Sequence, residues 1–256
     1  MPTIDIVIIN ASTQLTDDEV SAAVPALQTQ VSRDFAPAWG MDATLSFVPT
    51  GSKPKDGAWW ISILDNSDQA GALGYHDMTP DGLPLGKVFA ATDSQYGLSW
   101  TVTTSHELLE MLGDPDINLT ALEQTSNTAG RLYAYEVCDA CESDTDAYEI
   151  DGVKVSDFVY PAWFESFRGA GTKFDQMSKI EKAFQLLPEG YISIFDMTGA
   201  GWTQMYGEKA MHYASRAPVG SRRERRRIPR QHWLRSDTDA ISKTQAAMAG
   251  RRRENA

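Results

Sequence analysis

Cysteine is nearly absent: Cys138 and Cys141 are the only two in 256 residues. A chain of this length buries a full core without disulfide staples, and one Cys-x-x-Cys pair alone is too few ligands for a four-cysteine zinc site. With no thioredoxin-like strand and helix around it, a structural or incidental role is expected for that pair. Histidine is sparse too, at four residues, which argues against an imidazole-rich metal site. Long apolar runs are missing too. Nothing approaches the ~18 continuous apolar residues of a membrane span, and the opening MPTIDIVIIN lacks the basic flank and long apolar stretch of a secretory signal. A soluble protein, cytoplasmic by default, is expected, with non-classical export left open. Internal repeats are lacking as well.

Positive charge is scarce except at one end. Residues 216–256 hold 12 Lys and Arg against 4 Asp and Glu, a net of +8, which leaves −20 on residues 1–215 out of the overall −12. The runs SRRERRRIPR (221–230) and Arg251-Arg252-Arg253 contain few apolar residues that could form a core. Two regions follow: a folded unit over 1–215 and a basic, disordered tail over 216–256. The tail is either a polyanion contact or a solvated segment that folds back on the acidic body.

What is present begins with a strand, DIVIIN over Asp5–Asn10, whose β-branched run predicts burial on both faces. Thr16-Asp17-Asp18-Glu19 has capping-box spacing, and Val20, Val24, Leu27, Val31 and Phe35 recur at helical intervals. Pro25 should kink or restart that helix, since it has no amide hydrogen to donate. Ala43–Val48, Ala58–Leu64 and Lys87–Ala91 read as further strands. A Gly/Asp/Pro-rich excursion over Asn66–Gly86 separates the last two. Gly97–Leu112 reads as the next helix, with Gly113 as a left-handed stop and Pro115 preventing continuation. Downstream, Phe174, Met177, Ile180, Ala183, Phe184 and Leu187 predict a helix ended by Pro188, followed by a strand over Tyr191–Phe195.

The chemistry lies in Ser105-His106-Glu107-Leu108-Leu109-Glu110. His106 and Glu110, four positions apart, project from one helical face. In a His-Glu-x-x-His helix the two histidines hold zinc and the intervening glutamate activates a metal-bound water. Here Glu110 replaces the second histidine. The chelating geometry is kept, because carboxylate oxygen is an accepted zinc ligand, while the site becomes harder and more negative. Candidate third ligands are Asp116, ten positions after His106; Glu136; and its neighbour Asp139. The scarcity of histidine favours a carboxylate-rich site.

The succession strand, helix, three strands and motif helix resembles the upper lobe of zincin metallopeptidases. That resemblance implies an α+β (α/β) fold, a twisted mixed sheet over a metal-site helix with a smaller C-terminal lobe of loops and one helix. It also implies one divalent ion, zinc in the first place, with Glu107 as general base. The substrate would be a peptide or protein held along an edge strand near Lys87–Ala91. Ser105-His106-Glu107-Leu108 with Glu110, then Asp114-Pro115, Glu136-Val137-Cys138-Asp139 and Gly190-Tyr191, is also similar to the phosphate-induced (exordium-like) family. That likeness marks Glu136 and Asp139, so Glu136 is placed first as third ligand, with His106 and Glu110, and Asp139 and Asp116 are kept as alternatives. Asp114 is expected to cap local amides at the helix exit.

Plainer roles stand beside each of these. His106 could be a core histidine bonded to a backbone carbonyl, Glu110 half of an ion pair on a solvated face, and the whole a non-catalytic binding module with a structural or relic ion. The acidic run Asp139, Glu142, Asp144, Asp146, Glu149 and Asp151 lacks EF-hand spacing and reads as a solvated loop. Tyr160-Pro161-Ala162-Trp163-Phe164 reads as core packing.

Overall fold

A computed structural model describes residues 4–68, 72–79, 82–166, 169–199 and 201–210; the basic tail expected over 216–256 lies outside the described residues. Strand β1 (Ile4–Asn10) leads to helix α1 (Asp17–Thr29) and strand β2 (Ala43–Val48). The Thr16–Glu19 capping box forms as expected, satisfying amides that a helix start leaves open. Helix α1 passes through Pro25 unbroken; the irregularity comes afterwards, as a π-helical turn over Gln30–Phe35 and a short helix α2 (Ala36–Trp39).

Strands β3 (Trp59–Leu64), β4 (Gly74–Met78) and β5 (Pro84–Phe89) complete a five-stranded sheet in the order β2-β1-β3-β5-β4. β1 pairs in parallel with β2 and β3, and β3 with β5, while β4 runs antiparallel to β5. The expected edge strand near Lys87–Ala91 is therefore corrected. β5 is internal and ends at Phe89, and the edge is β4, a strand inside the supposed excursion. Ala90 already belongs to helix α3 (Ala90–Tyr96), which Gly97 closes in the left-handed conformation.

Helix α4 (Trp100–Gly113) follows. Its start is held from outside: Ser99 N–H donates to Asp144 Oδ2 at 3.1 Å. Asp144 and Asp146 also pair with Lys154 and Lys179, so part of the acidic run is a lysine-paired loop. Helices α1 and α4 lie on one face of the sheet, where Ile6, Ile8, Ile61 and Ile63 meet Val20, Leu27, Leu108, Leu109 and Leu112. Val7, Ile9, Val48 and Ala58 form a second cluster, alternating with the first along β1 as a strand buried on both faces requires.

The C-terminal part is β-rich, contrary to the expected loops and one helix. β6 (Thr120–Gln124), β7 (Gly130–Ala134), β10 (Tyr191–Asp196) and β11 (Gly201–Tyr206) form an antiparallel sheet in the order β11-β10-β7-β6, beside a hairpin of β8 (Tyr148–Ile150) and β9 (Val153–Val155). The predicted helix over 174–187 is a series of turns. Ser178 and Phe184 take positive φ, and Asp175 accepts the amides of Lys179 and Ile180, local bonds that compete with a helix. The apolar spacing there reflects residues dipping into the core from loops. Trp163 and Phe164 are buried, so that segment is core packing as expected. Among the described residues no helix is long and apolar enough to cross a membrane.

One buried carboxyl pair gives this fold a pH signature. Asp157 and Asp175 are both fully buried, and burial together with the facing Asp175 pushes Asp157 up to about 8. The folded chain keeps a proton that the unfolded chain releases near pH 4. Stability from this group is thus present at low pH and lost as pH rises towards 8, at up to about 1.4 kcal/mol per pH unit. Asp157→Asn keeps a donor facing Asp175 and removes the titration. Urea denaturation at pH 5 and pH 8 should show a smaller decline for the variant than for the native chain; equal declines would contradict the assignment.

Candidate metal centre

Three neighbouring side chains of α4 are drawn into one buried cluster. The helix is enclosed nearly throughout: every residue from Thr101 to Leu112 is buried, including His106, Glu107 and Glu110. Glu110 is therefore not on a solvated face. Gly113, expected as a left-handed stop, lacks positive φ and is the last helical residue, with Asp114 as the cap. A side chain there would meet Val137 Cγ1 at 2.8 Å, so its smallness lets the segment carrying Glu136 and Asp139 close against the helix. Asp114 caps as expected, accepting the amides of Asn118 at 3.0 Å and Leu119 at 2.8 Å.

The 3-10 turn Asp139–Cys141 presents Asp139 to the helix. It is held by Leu187 N–H donating to Ala140 O at 2.9 Å and by the close approach of Gly190, where a Cβ would sit 2.2 Å from Ala140 O. On the other side, β4 brings His76. Gly74 allows this approach, since a Cβ there would lie 2.8 Å from Glu107 Oε1 and from Thr103 Cγ2. Gly190→Ala should force the Asp139 turn away, costing about 1–3 kcal/mol by overpacking and weakening metal binding; thermal melts with and without added Zn²⁺ check both effects.

The donors fall into two groups that share Glu110: His106, Glu110 and Asp139, and His76, Glu110 and Glu136, all buried. His106 Nε2 is 3.2 Å from Glu110 Oε1 and 3.3 Å from Asp139 Oδ1. His76 Nδ1 is 3.4 Å from Glu110 Oε2 and 3.5 Å from Glu107 Oε2, and its Nε2 is 3.8 Å from Glu136 Oε2. Charge-assisted hydrogen bonds are shorter, about 2.7–2.9 Å. Ligands about 2.0–2.1 Å from a tetrahedral zinc lie about 3.3–3.4 Å apart; the spacings at His106 Nε2 and His76 Nδ1 are near that edge, and the 3.8 Å between His76 Nε2 and Glu136 is longer. Asp139 Oδ1 is buried without a hydrogen-bond partner of good geometry, as an oxygen reserved for a cation would be.

The electrostatics agree. Burial alone would depress His106, but Glu110 and Asp139 outweigh it and raise its pKa well above the usual value. Burial and the charge of Glu110 push Asp139 up to about 8. Both groups therefore hold their protons more tightly than usual, which would make any cation binding there pH-dependent. Asp93, buried beside α4 and accepting from Thr103 Oγ1 at 2.9 Å, is raised to about 8, mainly by burial and further by Asp144, Glu142 and Glu107. Cys138 and Cys141 are free and buried, and burial raises both thiols well above their usual range. That is the inert structural state expected for them, not that of a reactive thiolate.

Of the residues singled out from sequence, His106, Glu107, Glu110, Glu136 and Asp139 converge. In the group containing His106 the third member is Asp139; Glu136 stands on the His76 side of Glu110. Asp116 is exposed and belongs to neither group. His76 was missed. Its signal was a short Gly-Tyr-His strand opposite Gly86, hidden among loop-forming residues. The chain matches no protein-family model, no curated protein and no solved structure.

Proposed function

We propose that the protein is a metal-dependent hydrolase of zincin-like build, acting on peptides or proteins. The observation that carries this reading is the convergence of His106 Nε2, Glu110 Oε1 and Asp139 Oδ1, with Glu107 following His106 on the helix and its carboxylate 3.5 Å from His76 Nδ1. A mixed sheet with an antiparallel edge strand over the helix, and the His-Glu-x-x-Glu motif, support the class. Zinc suits the mixed imidazole and carboxylate donors, and a divalent ion bound there supplies Lewis acidity to water or a substrate carbonyl.

The chain's own residues do the rest. His106, Glu110 and Asp139 hold the cation, and the two carboxylates make it a less acidic centre than a histidine-rich one. Glu107, buried and aimed towards His76, accepts the proton of the attacking water and passes it to the leaving amine. Residual exposure is largest at His106 and Glu136, whose side chains are 7% and 9% accessible; substrate is expected to approach from there. The edge strand β4 is the place to look for an extended peptide.

Purified full-length protein reloaded with Zn²⁺ and given a diverse peptide library is expected to cleave a subset, with cleavage blocked by a hydroxamate. Metal-loaded protein that binds hydroxamate yet cleaves nothing would instead make it a non-catalytic binding module.

A further inference from the structure

We propose that the centre holds two divalent cations bridged by the Glu110 carboxylate: one among His106, Glu110 and Asp139, the second among His76, Glu110 and Glu136. This rests on the metal reading above and extends it.

The two oxygens of Glu110 serve different imidazoles. Oε1 lies 3.2 Å from His106 Nε2, and Oε2 lies 3.4 Å from His76 Nδ1. A carboxylate with each oxygen turned to a separate nitrogen donor is placed to bridge a pair of ions, which in two-metal sites lie about 3.5–4 Å apart. Each side then has the same composition, one imidazole and two carboxylates with Glu110 in common. His76 has the surroundings of a metal-bound histidine. Carboxylates stand near both ring nitrogens, Glu107 and Glu110 at Nδ1 and Glu136 at Nε2, and a single nitrogen of His76 lies within 4.8 Å of one oxygen each of Glu110 and Glu136.

The chain is also shaped to bring His76 in. His76, 1% exposed on an edge strand, faces acidic side chains from α4 and from the segment after β7, polar company that offsets the cost of burying an imidazole. Gly74, two residues before it, admits Glu107 only because it has no side chain. Glu107, with Oε2 3.5 Å from His76 Nδ1, then stands at the edge of the second position, where a base for water activation by two ions belongs.

Full-length protein stripped by chelator and reloaded with Zn²⁺ alone is expected to carry two ions per chain by native mass spectrometry. His76→Ala should retain one, and Glu136→Gln, which changes the fold least, should weaken the second ion at least tenfold while the first stays. One ion in the native chain, kept in His76→Ala, overturns the second position and leaves the hydrolase reading standing. One ion that His76→Ala loses also overturns the pair, and no ion at all overturns both proposals. Loading with Mn²⁺ gives a check independent of the variants. An exchange-coupled paramagnetic resonance spectrum supports the bridge, and the six-line signal of isolated ions at full loading overturns it.

Discussion

Glu107→Gln is expected to leave the metal in place and lower turnover by about 10²–10⁴-fold, the range attributable to a positioned proton acceptor. Glutamine has nearly the same shape and keeps the packing against Gly74, but it cannot take a proton from water. Metal content and melting temperature should be little changed, so the loss would fall on the chemical step. Metal analysis beside kinetics on any peptide found to be cleaved makes the comparison. A variant that loses both metal and activity would show that Glu107 acts as a ligand, whereas unchanged turnover would remove it from the mechanism.

The larger effect on binding is expected from Glu110→Ala. Its carboxylate belongs to both donor groups and is fully buried, so removing it takes a ligand from either position. Loss of groups that merely orient ligands costs 10–100-fold in metal affinity in comparable sites; loss of this shared ligand should exceed about 100-fold. Stability should change in two parts. Removing one buried acid relieves repulsion around Asp139, which the charge of Glu110 helps hold up near 8. At the same time the variant forgoes the stabilisation that a bound ion confers on the folded state. The native chain should therefore melt higher than the variant in excess Zn²⁺, with the gap closing or reversing in chelator. Equal melting temperatures of the two proteins in excess Zn²⁺ would argue against a metal at Glu110.

Much of the frame was legible in the sequence because local signals and tertiary structure agree there. β1 and β2 are written in β-branched and alternating residues, the Thr16–Glu19 box marks a helix start, and the His106–Glu110 spacing places both side chains on one face. Where the signals failed, tertiary context had overridden them. β4 is built from Gly-Tyr-His-Asp-Met, a poor strand by composition, and holds its place as an edge beside β5. The segment over 174–187 spaces its apolar residues like a helix, yet Asp175 and the positive φ of Phe184 make turns instead. The identity of the acid facing His106 was the least legible part. Glu136 and Asp139 are three positions apart, and only the 3-10 turn following Cys138 decides which of them faces His106. Gly113 and Gly190 illustrate the same limit, since their smallness serves approaches from distant parts of the chain.

Anomalous diffraction at the zinc edge, recorded from crystals of the full-length protein purified without chelator and soaked in Zn²⁺, addresses the metal centre most directly. A peak about 2.0–2.2 Å from His106 Nε2 and from carboxylate oxygens of Glu110 and Asp139 is expected. Absence of anomalous density there, with His106 and Asp139 joined by an ordinary hydrogen bond, would contradict it.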